Sequence, residues 1–72
     1  MNISTGQVYK HYKGNPYKII ALAKHSETLE EMVVYQDQNE PEKVWVRPRA
    51  LFESDKIIDG KKVQRFTKIT GF

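Results

Sequence analysis

The chain contains no cysteine. That excludes a disulfide framework and any thiolate zinc site. A chain of 72 residues without such staples suits a reducing compartment. Long apolar runs are missing too. The longest, Ile19-Ile20-Ala21-Leu22-Ala23, has the length of a strand, whereas a bilayer-spanning helix needs about 20 such residues. Met1 to Gly6 has no basic segment followed by an apolar run, so no signal peptide is read there. These absences lead to the expectation of a cytoplasmic protein with no membrane association.

Acid is absent from the first third. Met1 to Ser26 holds four lysines and no acid, Glu27 to Glu42 six acids and no base, and Lys43 to Phe72 eight bases and three acids. The net charge of +3 is modest, but blocks of this kind can give a folded surface one basic and one acidic side. Apolar residues are scarce as well. At this length nearly all of them are needed for a thin core. Few remain to line a deep pocket, so the chain reads as a surface binder, not an enzyme, and no cofactor or metal is called for.

What is present is the punctuation of a β protein. Gln7 to Tyr12 reads as a first strand and Lys13-Gly14-Asn15-Pro16 as a turn, in which Gly14 tolerates positive φ. Tyr17 to His25 reads as a second strand, apolar on both faces at its centre. Thr28 and Glu31 match a helical capping box, but Val33-Val34-Tyr35 favours a strand over Glu31 to Gln38. Lys43 to Arg47 alternates, with Val44 and Val46 on one face and Trp45 and Arg47 on the other. Pro48 ends pairing and opens a helical turn through Glu53, with Leu51 and Phe52 expected to pack inward. Asp59-Gly60 between Asp55–Ile58 and Lys61–Ile69 is the signature of a type I′ hairpin. The fold expected is all-β: a small SH3-like barrel of five to six short antiparallel strands with one helical turn, in a single domain over residues 1–72.

The runs Gly6-x-Val8-Tyr9-x-His11-Tyr12-Lys13-Gly14-x-x-Tyr17, Ala23-Lys24-His25-Ser26-Glu27-Thr28-Leu29-Glu30, Val33-Val34-Tyr35, Trp45-Val46-Arg47-Pro48 and Asp59-Gly60-Lys61-x-Val63-x-Arg65-Phe66 resemble the DUF1653 family of small bacterial proteins. The resemblance extends from about Gly6 to Ile69. Lys24 departs from it, standing where arginine is expected, which keeps the charge and loses the planar fork. The resemblance implies a bacterial, cytoplasmic protein and a compact β-rich domain. It implies no activity.

Three clusters are candidates for function. Lys24, His25, Ser26, Glu27 and Thr28 gather a cation, an imidazole, two hydroxyls and a carboxylate at a strand end. They form either a ligand loop or a turn whose hydroxyls bond nearby backbone, with Glu27 paired to Lys24. Trp45 and Arg47 share a strand face. They either stack a planar group and hold its anion, or Trp45 is core. Tyr9, His11, Tyr12, Lys13 and Tyr17 surround the first turn; aromatics among cations suit single-stranded nucleic acid or a peptide. Otherwise Tyr9 and Tyr17 are half-buried with wet hydroxyls.

The reading is therefore a binding module for nucleic acid or a nucleotide-like ligand. Lys10, Lys13, Lys18, Arg47, Arg49 and Arg65 would meet phosphates, and Trp45, Tyr12 or Tyr17 would stack. The alternative is a protein, peptide or small-metabolite module using the His25–Thr28 loop, and the chain itself is expected as a monomer or weak homodimer. His25-Ser26-Glu27 is no catalytic triad, because neighbours on an extended strand point to opposite faces.

Overall fold

The computed structural model describes residues 3–70. Seven strands and one helical turn follow one another: β1 Val8–His11, β2 Pro16–Lys24, β3 Glu31–Asp37, β4 Val44–Pro48, α1 Arg49–Phe52, β5 Asp55–Ile58, β6 Lys61–Gln64 and β7 Phe66–Thr70. Five of them make one antiparallel sheet in the order β4-β3-β2-β1-β7, and β5 and β6 form a separate hairpin. The mainly-β, antiparallel architecture with one helical turn is the one expected. Its strands number seven instead of five or six. The difference arises at Arg65, which breaks the expected run Lys61–Ile69 into β6 and β7 so that the chain leaves the hairpin and joins β1.

Turn chemistry fixes the connections. Asp59 and Gly60 both have positive φ, 51° and 75°, as a type I′ turn requires. Gly14 at φ 112° allows the β1–β2 turn to close, with the Gly14 N–H donating to the His11 carbonyl at 2.8 Å and the His11 N–H donating to the Asn15 carbonyl at 2.8 Å. The β3–β4 loop is organised by buried Asp37, whose Oδ1 accepts from the N–H groups of Asn39 and Glu40 at 2.8 and 3.1 Å.

The sheet is not hydrogen-bonded into a closed barrel, yet it curls strongly. Four strand spacings would hold β4 and β7 about 19 Å apart in a flat sheet. Side chains from the two edges nevertheless meet over the inner face, the Arg47 guanidinium of β4 lying 5.8 Å from the Phe66 ring of β7. The gap between these edges is filled by Phe52 of α1, which stacks on Phe66 with centroids 4.0 Å apart and planes 8° from parallel. Tyr9 and Tyr35 meet Phe52 edge-on at 5.4 and 5.5 Å. With Ile3, Ile19 and Val33 these rings are the core.

Three expectations about burial change. Tyr9 is not half-buried but wholly enclosed, its hydroxyl donating to the Oε1 of buried Gln7 at 3.0 Å. Strand β2 is buried on one face only, because a curled single sheet has one inside; Ile20 and Leu22 are exposed. In α1, Phe52 is buried but Leu51 is 52% exposed, since one helical turn can aim only one of two adjacent residues inward. Phe52→Ala should therefore lower unfolding free energy by about 3–5 kcal/mol, whereas Leu51→Ala should change it by no more than about 0.5 kcal/mol. Urea unfolding of the two variants beside the parent chain measures both.

Candidate functional site

The inner face of the sheet carries more aromatic surface than the core consumes. Register places Trp45 beside Tyr35 and Arg47 beside Val33 across β3 and β4, Ile19 beside Tyr35 across β2 and β3, Tyr9 beside Tyr17 across β1 and β2, and His11 beside Phe66 across β1 and β7. Cross-strand neighbours share a face. The core takes Ile3, Tyr9, Ile19, Val33, Phe52 and most of the surface of Tyr35 and Phe66. Toward one end of the curl, His11, Tyr17, Tyr35, Trp45, Arg47 and Phe66 line an open cup of about 220 Å³. Every strand of the sheet contributes to it. The volume lies below the roughly 300–1,000 Å³ of pockets for drug-sized ligands and matches one planar ring system.

Edge-to-face contacts set the walls. Tyr17 meets Tyr35 at 5.3 Å and Phe66 at 6.0 Å, and His11 meets Phe66 at 5.0 Å. Trp45 is 49% exposed. It is neither core nor free surface: it stands on the inner face of an edge strand and forms the cup's rim. Val44 and Val46 lie on the outer face at 52% and 60% exposure, so the alternation of β4 is aromatic inside and aliphatic outside.

The cup is electropositive. The two neighbouring arginines differ in their engagement. Arg49 pairs with Glu31 at 3.4 Å and with Glu53 at 3.1 Å, so it ties α1 to β3 and is not available to a phosphate. Arg47 enters none of the ion pairs among the described residues. Burial pushes the Tyr35 hydroxyl above its ordinary pKa, and the Arg47 guanidinium beside it pulls the other way. Burial first, and then the charges of Arg47, Lys13, Arg65 and Lys56, hold His11 below the ordinary histidine range. The Nδ1 of His11 accepts from the Lys13 N–H at 3.1 Å, which leaves the proton of the neutral ring on Nε2.

Of the remaining residues anticipated from sequence, Tyr12 and Lys13 follow β1 just outside the cup, with Lys13 Nζ 5.9 Å from the Tyr12 ring. Lys56, which sequence reasoning did not single out, bonds the Tyr12 hydroxyl at 3.0 Å and lowers its pKa. Arg65 donates from Nε to the Ser54 hydroxyl at 3.3 Å. Lys18 pairs in register with Gln36 and so sits on the outer face, away from the cup.

The His25–Thr28 segment does not join this site. It turns the chain between β2 and β3, and its polar atoms hold that turn: His25 Nδ1 accepts from the N–H groups of Glu27 and Thr28 at 3.2 and 3.4 Å, and Thr28 Oγ1 accepts from the Glu30 N–H at 3.2 Å. No ion pair among the described residues involves Glu27 or Lys24. Lys24 instead borders a second cavity of about 250 Å³ with Leu22, Met32 and Arg49. Tyr35 and Phe66 were not anticipated as site residues. The signal was in the pairing, because once β3 lies against β4, Tyr35 must stand beside Trp45.

The His11 shift has a pH consequence. Its folded pKa lies below the unfolded one, so between the two values the unfolded chain binds more protons and stability rises with pH. The contribution is complete above the unfolded value of about 6.5 and is lost as pH falls through the folded pKa. Arg47→Gln removes one of the opposing charges and should raise the His11 pKa toward its ordinary value. Titration of the His11 ring protons by NMR in both proteins measures this.

The chain is similar to known proteins in sequence and in fold. The family model described as a protein of unknown function, DUF1653, matches residues 7–68. No curated protein matches the chain. A solved crystal structure of a DUF1653 protein from Bordetella bronchiseptica is similar over 94% of this chain and 88% of that one, with a TM-score of 0.75 and 28% identity. The family match takes in all six cup residues and the stacked pair Phe52–Phe66, and on it the chain belongs to the DUF1653 family.

Proposed function

We propose that the chain is a binding module whose aromatic cup receives the planar base of a nucleotide-like ligand, with Arg47 meeting its phosphate. The observation that carries this reading is an open ring-lined cup whose one charged wall residue, Arg47, has no acidic partner among the described ion pairs. Aromatic faces stack on any base, and a guanidinium beside them adds phosphate and cation–π contacts.

Aromatic cages also bind quaternary ammonium groups. The charge around this cup opposes such a ligand: each charged group that shifts His11 is a cation. None of the six acids of the middle segment lines the cup, and two of them pair with other bases, Glu40 with Lys43 at 2.6 Å and Glu31 with Arg49. The acidic block therefore does not stand against a polyanion at the cup. The loop reading loses ground for a matching reason, because the His25 and Thr28 side-chain atoms are already bonded within their own turn. The module holds its ligand without transforming it.

Trp45 is the only tryptophan, so its fluorescence reports the cup directly. Titration with UMP and AMP at low salt should change that fluorescence saturably. Arg47→Ala should weaken binding by at least about tenfold. Tyr17→Ala should do so by about five- to hundredfold, the range that one stacking contact is worth. An unchanged Trp45 signal at millimolar nucleotide would remove the proposal.

A further inference from the structure

Beside the cup lies a second cavity that shares one wall residue with it. His11 lines the cup, and it also lines a neighbouring groove of about 380 Å³ with Lys10, Tyr12, Val63 and Gln64. Along β1 the side chains alternate. Tyr9 and His11 face inward, while Lys10 faces outward, so the groove wraps around the end of β1 from the inner to the outer side of the sheet. The rings of His11 and Tyr12 lie 4.3 Å apart across that end.

The path is marked by cations. Lys13 and Lys56 reach the Tyr12 ring from different parts of the chain, at 5.9 and 5.3 Å, and Lys56 also bonds the Tyr12 hydroxyl. Neither lysine is in an ion pair among the described residues. Both are exposed, and Lys10 continues the charge along the groove. A mononucleotide whose base fills the cup has one phosphate group and reaches only the start of this path. The rest is suited to the spaced single charges of a phosphodiester backbone.

Resting on the reading of the cup as a base site, we propose that the ligand is a single-stranded oligonucleotide: one base enters the cup, and the backbone passes around His11 and over the Lys13–Tyr12–Lys56 cluster into the groove between β1 and the β5–β6 hairpin. Tyr12 offers the next base a ring on which to stack once the two lysines turn to the phosphates.

The test compares UMP with the tetranucleotide U4 by Trp45 fluorescence, in the parent chain and in the Lys13→Gln/Lys56→Gln double variant. The substituted side chains are exposed, so the fold is left intact, which circular dichroism verifies. U4 should bind the parent chain at least about tenfold more tightly than UMP. Its salt dependence should be steeper by at least two phosphate contacts, each contributing about −0.7 to the slope of log K against log salt. The double variant should lose most of that advantage while changing UMP binding less than threefold. Equal affinity for UMP and U4, or an equal loss of both in the double variant, overturns the strand and leaves the base site standing. Binding of neither overturns both.

Discussion

One aromatic contact decides the shape of this protein. Phe66 sits on β7 at one edge of the five-stranded sheet, and Phe52 sits on the helical turn that follows β4 at the other edge. Their stacking brings the two edges together, with no β4–β7 pairing among the described residues. A twisted antiparallel sheet tends to coil, and here the coil is stopped by rings. The helical turn is only four residues long, too short to persist alone. It is held by Pro48 at its start and by Arg49, whose guanidinium reaches Glu31 on β3 and Glu53 at the turn's end. That clamp positions Phe52, and Phe52 positions Phe66.

The cup follows from the same stack. Phe66 shows one part of its surface to Phe52 and another to His11, Tyr17 and Arg47. The site is the open end of the aromatic core, not an addition to it. This economy suits a small domain, which cannot set aside apolar residues for a separate pocket. It also explains the arrangement of charge. Arg49 is consumed by structure, while Arg47, two residues earlier and on the inner face, is left to the site. The lysines collect where β1 turns and where the hairpin approaches it.

Much of this was legible in the residues. Asp59-Gly60 announced its hairpin because only positive φ at both positions fits that turn, and Pro48 announced the end of β4. The same-face spacing of Trp45 and Arg47 and the cluster of His11 and Tyr17 supplied four of the residues that line the cup. What was not legible depends on pairing across sequence. Tyr35 and Phe66 were not singled out, because nothing local says that a ring is core on one side and wall on the other. The polar density of His25-Ser26-Glu27-Thr28 looked functional, yet the His25 ring and the Thr28 hydroxyl accept from backbone N–H groups of their own turn. Leu51 and Phe52 looked equivalent, and only the direction of a single helical turn separates them.

The central claim is that the open end of the aromatic core is where a ligand sits. Its most direct test is shift mapping by two-dimensional NMR with a mononucleotide added to the isotopically labelled chain. The account predicts that the indole N–H of Trp45, the Nε–H of Arg47 and the ring protons of His11 and Tyr17 move together along one saturation curve, while the amides of residues 25–28 stay in place. Shifts confined to residues 22–32, around the second cavity and the His25 turn, would contradict it.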